Sequence, residues 1–256
     1  MNTRPASNAG VFYPAEKASI LAAIAHYRHQ ALTCPGNIPM AIVAPHAGWQ
    51  YCGPVLASAF AGVTAKTIKK IVHLGPSHQN PITGVVESRV SAFETPLGKC
   101  PVTPVSHPLV TGNFEPHRSE YSLEVQLPFM QALLGSFDYI PLLVGECAPK
   151  AIAALLNSLS VGEPGTLIIV SSDLSHYLPS SAAHSTDMST LRAIEALDPT
   201  LKTAQACGAM ALNGLTTLAI QKNWNPMALD RSDSSTLART SNDSVVGYGA
   251  IAYYAN

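Results

Sequence analysis

The stretch "TLIIVSSDLSHYL", Thr166 to Leu178, decides the fold class. It opens as a short, continuous, apolar and β-branched run, the pattern of a strand buried on both faces. It then turns polar at Ser171, Ser172 and Asp173 and reaches His176 soon after. Strands buried on both faces belong to parallel sheets covered by helices, and in such sheets the loops leaving the carboxyl ends gather into a ligand crevice. Asp173 and His176 are therefore candidate functional residues. Ser171, Ser172 or Asp173 would also serve to cap a following turn.

The same grammar recurs upstream. "MAIVA" (40–44) leads into "PHAGWQYCG" with His46, and "KIVHL" (70–74) leads into "GPSHQN" with His78. "YIPLLV" (139–144) is a fourth buried run, and "SVVGYGAIAYY" (244–254) closes the chain. Between them, helical spacing of apolar residues predicts helices over 16–32, 54–64, 122–135, 149–160, 181–196 and 207–222. Residues 84–105 read as an antiparallel portion. The alternation predicts an α/β fold, with a mostly parallel central sheet covered by helices on both faces, in a single domain over residues 1–256.

Composition narrows the function classes. With 15 Lys+Arg against 16 Asp+Glu and 12% charged residues, no basic stripe is available to neutralise nucleic-acid phosphates. No apolar run reaches the roughly 18 residues of a membrane span, and the first residues lack a signal-type apolar segment. The 5 cysteines are spread out with no C-x-x-C pair, which argues against a disulfide framework or zinc ribbon and fits a reducing, cytoplasmic setting.

The strand-end residues suggest a chemistry. Imidazole is the commonest metal-ligating side chain, and His46 and His78 from neighbouring strands would present two ligands to one ion. His176, with Asp173 to orient it, suits general acid/base work near neutral pH. Glu120 and Glu124 lie four apart, so both would share a helix face, read as solvated, with Ser119 or Ser122 as the cap. His73 sits inside its strand and reads as a core residue. Cys207 and Cys52 are read first as small buried packing residues and second as thiol nucleophiles.

The order of the motifs "FYP", "PHAGWQYCGPV", "HLGPSH", "TPLG", "EYSLEVQLPF", "SSDLSHY", "ACG" and "VVGYGA" resembles the MEMO family over nearly the whole chain. The resemblance implies a fold similar to the LigB-type extradiol dioxygenases, which are non-haem iron enzymes. By motif it carries the metal-ligand positions to His46 and His78, and the acid/base positions to His176 and Asp173. It implies Fe(II) or copper as cofactor and a metal-dependent redox activity; a non-catalytic adaptor that retains the pocket is the second class. The implied partners are a small molecule or peptide in the pocket and a radical-SAM-type protein. Counting back from Gly247 and Tyr248, the family's cysteine ligand falls at Ala238, which leaves Asp230, Asp233, Asp243 or water as the expected third ligand. Tyr121 replaces the histidine of the family's "EHSLE" pattern.

Overall fold

The computed structural model describes residues 2–32, 36–160, 165–238 and 243–256. Cys34 lies outside them.

The chain opens with β1 (Thr3–Arg4) and α1 (Lys17–Gln30), whose Ile20 and Ile24 are buried. β2 (Ala41–Ala44) is followed by α2 (Trp49–Ala59), so only the segment Pro45–Gly48 connects them. The sequence reading starts this helix at residue 54 and carries it to 64. Pro54 instead stands inside the helix, and its carbonyl accepts a hydrogen bond from Ser58 Oγ at 3.0 Å.

β3 (Lys70–Pro76) precedes the short strands β4 (Val85–Glu87), β5 (Ala92–Thr95), β6 (Gly98–Pro101) and β7 (Val110–Gly112). The single helix expected over 122–135 is two, α3 (Tyr121–Glu124) and α4 (Leu127–Leu134). Pro128 sits in the first turn of α4, where its missing N–H costs nothing, and the helix restarts there.

β8 (Asp138–Val144), α5 (Pro149–Ser160), β9 (Thr166–Ser171), β10 (His176–Leu178), α6 (Ser180–Glu195) and α7 (Ala209–Lys222) follow. The last elements are β11 (Trp224–Asp233), α8 (Ser234–Ala238) and β12 (Val245–Ala255). The periodicity did not announce β11, whose "WNPMALDRSD" carries Pro226 and five polar or charged residues. It is half-exposed and pairs along β12, a setting that tolerates proline.

The main sheet runs β10-β12-β2-β9-β3-β8-β4-β7, with β11 also on β12. It is mixed, which corrects the expectation of a mostly parallel sheet. β2, β9, β3 and β8 are mutually parallel, but β12, β10 and β11 on one side and β4 on the other join antiparallel. The apolar runs identified the buried parallel centre and could not show the orientation of the flanking strands. A smaller sheet, β1-β5-β6, lies apart from it.

Side chains alternate between two cores with the period of a strand. Ile42, Ala44, Ile71, Leu167 and Ile169 face a cluster with Ile20, Leu56 and Phe129 from α1, α2 and α4. Val43, Val72, Leu74, Ile168 and Val170 face Ile152, Leu156, Leu212 and Leu215 from α5 and α7. Helices thus cover both faces, as expected for strands that are apolar throughout. Burial of each such side chain contributes about 1.5–3 kcal/mol. The register then aligns the functional ends: Ala44 stands opposite Ser171, and Leu74 opposite Val170.

Candidate functional site

His46, His78 and Cys207 meet at the carboxyl edge of the parallel centre. Their ligand atoms all lie within 4.8 Å of one another, and His46 Nε2 is 3.3 Å from Cys207 Sγ. The two histidine rings stand edge to face, with centroids 5.1 Å apart.

The hydrogen bonds around His46 fix its tautomer. Ser171 Oγ donates its one proton to the Ser122 carbonyl at 2.6 Å and accepts from Gln126 Nε2 at 3.0 Å. It can therefore only accept from His46 Nδ1, 2.7 Å away. The proton sits on Nδ1 and the lone pair on Nε2, which faces Cys207. Gln126 also donates to the carbonyls of Ala44 and Pro45, at 2.8 and 3.0 Å, binding the end of β2 to the end of β9. His46 is fully buried; burial first, and then the nearness of His78, hold its pKa well below the usual histidine range.

His78 is oriented by Glu120. One carboxylate oxygen accepts from the His78 backbone N–H at 2.6 Å and the other pairs with Nδ1 at 2.8 Å. This is the carboxylate–histidine arrangement that orients metal-ligating imidazoles and frees Nε2. Burial opposes ionisation of Glu120, but its bonds with His78 and the Ser122 N–H outweigh that and keep its pKa below the ordinary value. The expected solvated face is corrected here, since Glu120 and Glu124 are both buried. Glu120 rather than Ser119 or Ser122 caps α3, accepting from the Ser122 N–H at 3.0 Å. Glu124 pairs with Arg4 at 2.6 Å inside the protein and accepts from Asn8 and Tyr13 as well. Arg4 also donates to the Glu120 carbonyl at 2.7 Å, so the amino-terminal segment backs the residues that orient His78.

Cys207 is brought in by its neighbour. A Cβ at Gly208 would lie 2.7 Å from the Ser171 carbonyl oxygen, so only glycine lets the start of α7 approach β9 this closely. The Asp173 N–H points at Cys207 Sγ at 3.2 Å, and the Cys207 N–H donates to the Asp173 carbonyl at 3.2 Å. Burial, then the charge of Asp173, push the thiol up to about 12; coordination to a cation would reverse that by ionising it. The group beside the two histidines is thus Cys207, not position 238, where the resemblance puts the family's cysteine. Ala238 closes α8 and does not line the cavity beside the histidines. Asp230 is bonded to Ser58 at 2.7 Å, Asp233 caps α8 through Ser235, and Asp243 is an exposed turn residue ahead of β12. Counting back from β12 crossed a loop of unknown length, whereas the Cys-Gly pair opening α7 was the usable signal.

Asp173 does not cap its own turn. Its Oδ1 accepts from the His46 backbone N–H at 2.9 Å, and its Oδ2 lies 3.9 Å from His46 Nε2. Burial raises its carboxyl to about 6, against the opposing pull of the His46 N–H and of His176 and His78. His176 Nδ1 donates to the Leu174 carbonyl at 2.9 Å, which leaves Nε2 as the basic atom. Both residues line a cavity of about 1110 Å³ that also takes in His78 and Cys207. Tyr121 stacks on His78, with centroids 4.5 Å apart, and on Phe12 at 4.7 Å; burial raises its phenol pKa, so it stays a neutral hydrogen-bonding group.

His73 is a core residue as expected, buried and near Tyr139 Oη at 3.0 Å. Cys52 is buried in α2 against the Ala47 carbonyl and is a packing residue. No helix among the described residues is long and apolar enough to cross a membrane.

The family model described as "Memo-like protein" matches residues 4–252. A "MEMO1 family protein" of Thermotoga maritima is 32% identical over 78% of this chain and 80% of its own length. One from Thermoplasma volcanium is 28% identical over 95% of both chains, and the "Protein memo-1 homolog" of Caenorhabditis elegans is 32% identical over 69% of this chain and 53% of its own. The match spans every element that builds the cluster, and the chain belongs to the Memo-like family.

Proposed function

We propose that the protein is a metal-dependent redox protein related to the LigB-type extradiol dioxygenases, with Fe(II) or copper held by His46, His78 and Cys207. The observation that carries this reading is the convergence of two imidazoles, each with Nδ1 committed to an acceptor, and one thiol, with ligand atoms within 4.8 Å. Imidazole and thiolate together suit copper and iron, and a bound metal of this kind supplies one-electron or oxygen chemistry. The set differs from a two-histidine, one-carboxylate triad by its sulfur.

The chain's own residues supply the rest. Asp173 holds the His46 backbone, and its carboxyl, raised by burial to about 6, exchanges a proton below neutral pH. His176 presents its basic Nε2 toward the cavity and takes or returns a proton on a ligand bound there. The cysteines Cys52, Cys100, Cys147 and Cys207 are all free thiols, in keeping with a reducing cytoplasmic compartment.

Metal analysis of tag-free protein purified without oxygen tests the reading. One equivalent of iron or copper is expected, falling at least tenfold in His46→Ala, His78→Ala and Cys207→Ser. Substoichiometric metal unchanged by these substitutions would sink it. The breadth of the cavity favours a second reading, a binding protein that takes a small molecule or a peptide side chain without turnover. Capture of a partner, such as a radical-SAM-type protein, that survives His46→Ala and His176→Ala is the outcome expected of that alternative.

A further inference from the structure

The lining of the cavity contains, at β10, a feature that folding alone does not explain. β10 pairs with β12 through His176 opposite Val246 and Leu178 opposite Val245, so β10 carries one extra residue, Tyr177. In a regular strand, neighbouring side chains point to opposite faces. The bulge removes that alternation, and His176, Tyr177 and Leu178 all line the same cavity. Tyr177 reaches this position with φ at 57°, a left-handed conformation that disfavours a bulky L-residue. The residue is 77% exposed, so the ring gains little packing in return. Bulges and strained backbone of this kind concentrate at functional sites, where they aim a side chain.

The surroundings define what the ring would meet. Phe12, Tyr51, Tyr121 and Tyr248 supply the other aromatic surfaces of the cavity. Among the described residues no lysine or arginine lines it, whereas the Asp173 carboxylate does, so a phosphate or sulfate group would meet an acidic side chain there.

We propose that Tyr177 is a specificity-determining residue that stacks on an uncharged planar aromatic ligand in this cavity. The inference rests on the reading of the cavity as a ligand site and passes through no metal.

The test is a fluorescence titration of 2-naphthol into the full chain after chelator treatment, with thermal melting measured on each variant. Wild type is expected to bind saturably, and Tyr177→Phe, which keeps the ring, to bind within about twofold of it. Tyr177→Ala and Tyr177→Gly are expected to weaken binding by about 3- to 10-fold, the range of an aromatic pair. Tyr177→Gly should melt higher than Tyr177→Ala, because glycine accepts the left-handed conformation. 2-Naphthyl phosphate is expected to bind more weakly than 2-naphthol. Wild-type affinity in Tyr177→Ala and Tyr177→Gly, no saturable binding by wild type, or tighter binding of the phosphate would each overturn the proposal. A protein that fails to take up metal yet shows the expected Tyr177 dependence supports it, and that result counts only against the metal reading.

Discussion

The cluster wall and the β10 wall of the site are built on different principles. On one side, His46 is buried, its ring held by Ser171, which Gln126 and the Ser122 carbonyl hold in turn, while Glu120 grips His78 at two points. On the other, His176 is held by the Leu174 carbonyl, and Tyr177 stands in solvent on a bulge. The difference teaches where geometry matters. On the proposed function, ligands to one ion have to be held closely by their supporting shell, whereas a proton-handling group and a stacking ring can adapt to what enters.

The largest effects should therefore come from breaking the rigid wall. Arg4→Ala leaves the buried Glu124 carboxylate without its ion-pair partner and removes the donor to the Glu120 carbonyl. It is expected to cost about 3–5 kcal/mol in denaturant unfolding. A change below about 1 kcal/mol would show that the segment bearing Glu120 is not braced from the amino terminus.

Ser171→Ala is next. It strips the acceptor from His46 Nδ1 and from one Gln126 donor, with an expected loss of about 1–3 kcal/mol and a 10- to 100-fold weaker metal affinity. Calorimetric unfolding and a metal competition assay measure the two losses. A metal affinity that is unchanged despite lost stability would separate the shell from the site.

Acid should loosen the same wall. His117 is buried, its carbonyl accepts from Arg4, and burial lowers its pKa to about 4. The unfolded chain takes up that proton near pH 6.5, so stability is fully present above about 6.5 and is lost as pH falls toward 4, by up to about 3 kcal/mol. His73, lowered to about 3 by burial, acts in the same direction. Urea midpoints between pH 7 and 4 report the slope, and His117→Gln should flatten it.

The smallest effect belongs to the adaptable wall. His176→Gln should change unfolding free energy by no more than about 0.5 kcal/mol in denaturant unfolding. A loss above 2 kcal/mol would make His176 a structural residue and erase the contrast.

Much of this was legible in the sequence, for a physical reason. A strand buried on both faces has to be apolar throughout, so β2, β3, β8 and β9 stood out, and the polar residues following β2, β3 and β9 located His46, His78, Asp173 and His176. What stayed hidden depends on partners far along the chain. Glu120 and Glu124 read as a solvated face because nothing local shows that Arg4 and His78 come to meet them. Cys207 read as packing because its approach to His46 is set by Gly208 lying against Ser171 and Ser172. β11 was missed because a half-exposed strand beside β12 need not carry an apolar pattern.

The most direct test of the account is a crystal structure of metal-loaded protein with anomalous data collected at the iron and copper edges. The account predicts one anomalous peak within coordination distance of His46 Nε2, His78 Nε2 and Cys207 Sγ together. A peak elsewhere, or one bound by the histidines with Cys207 turned away, would contradict it.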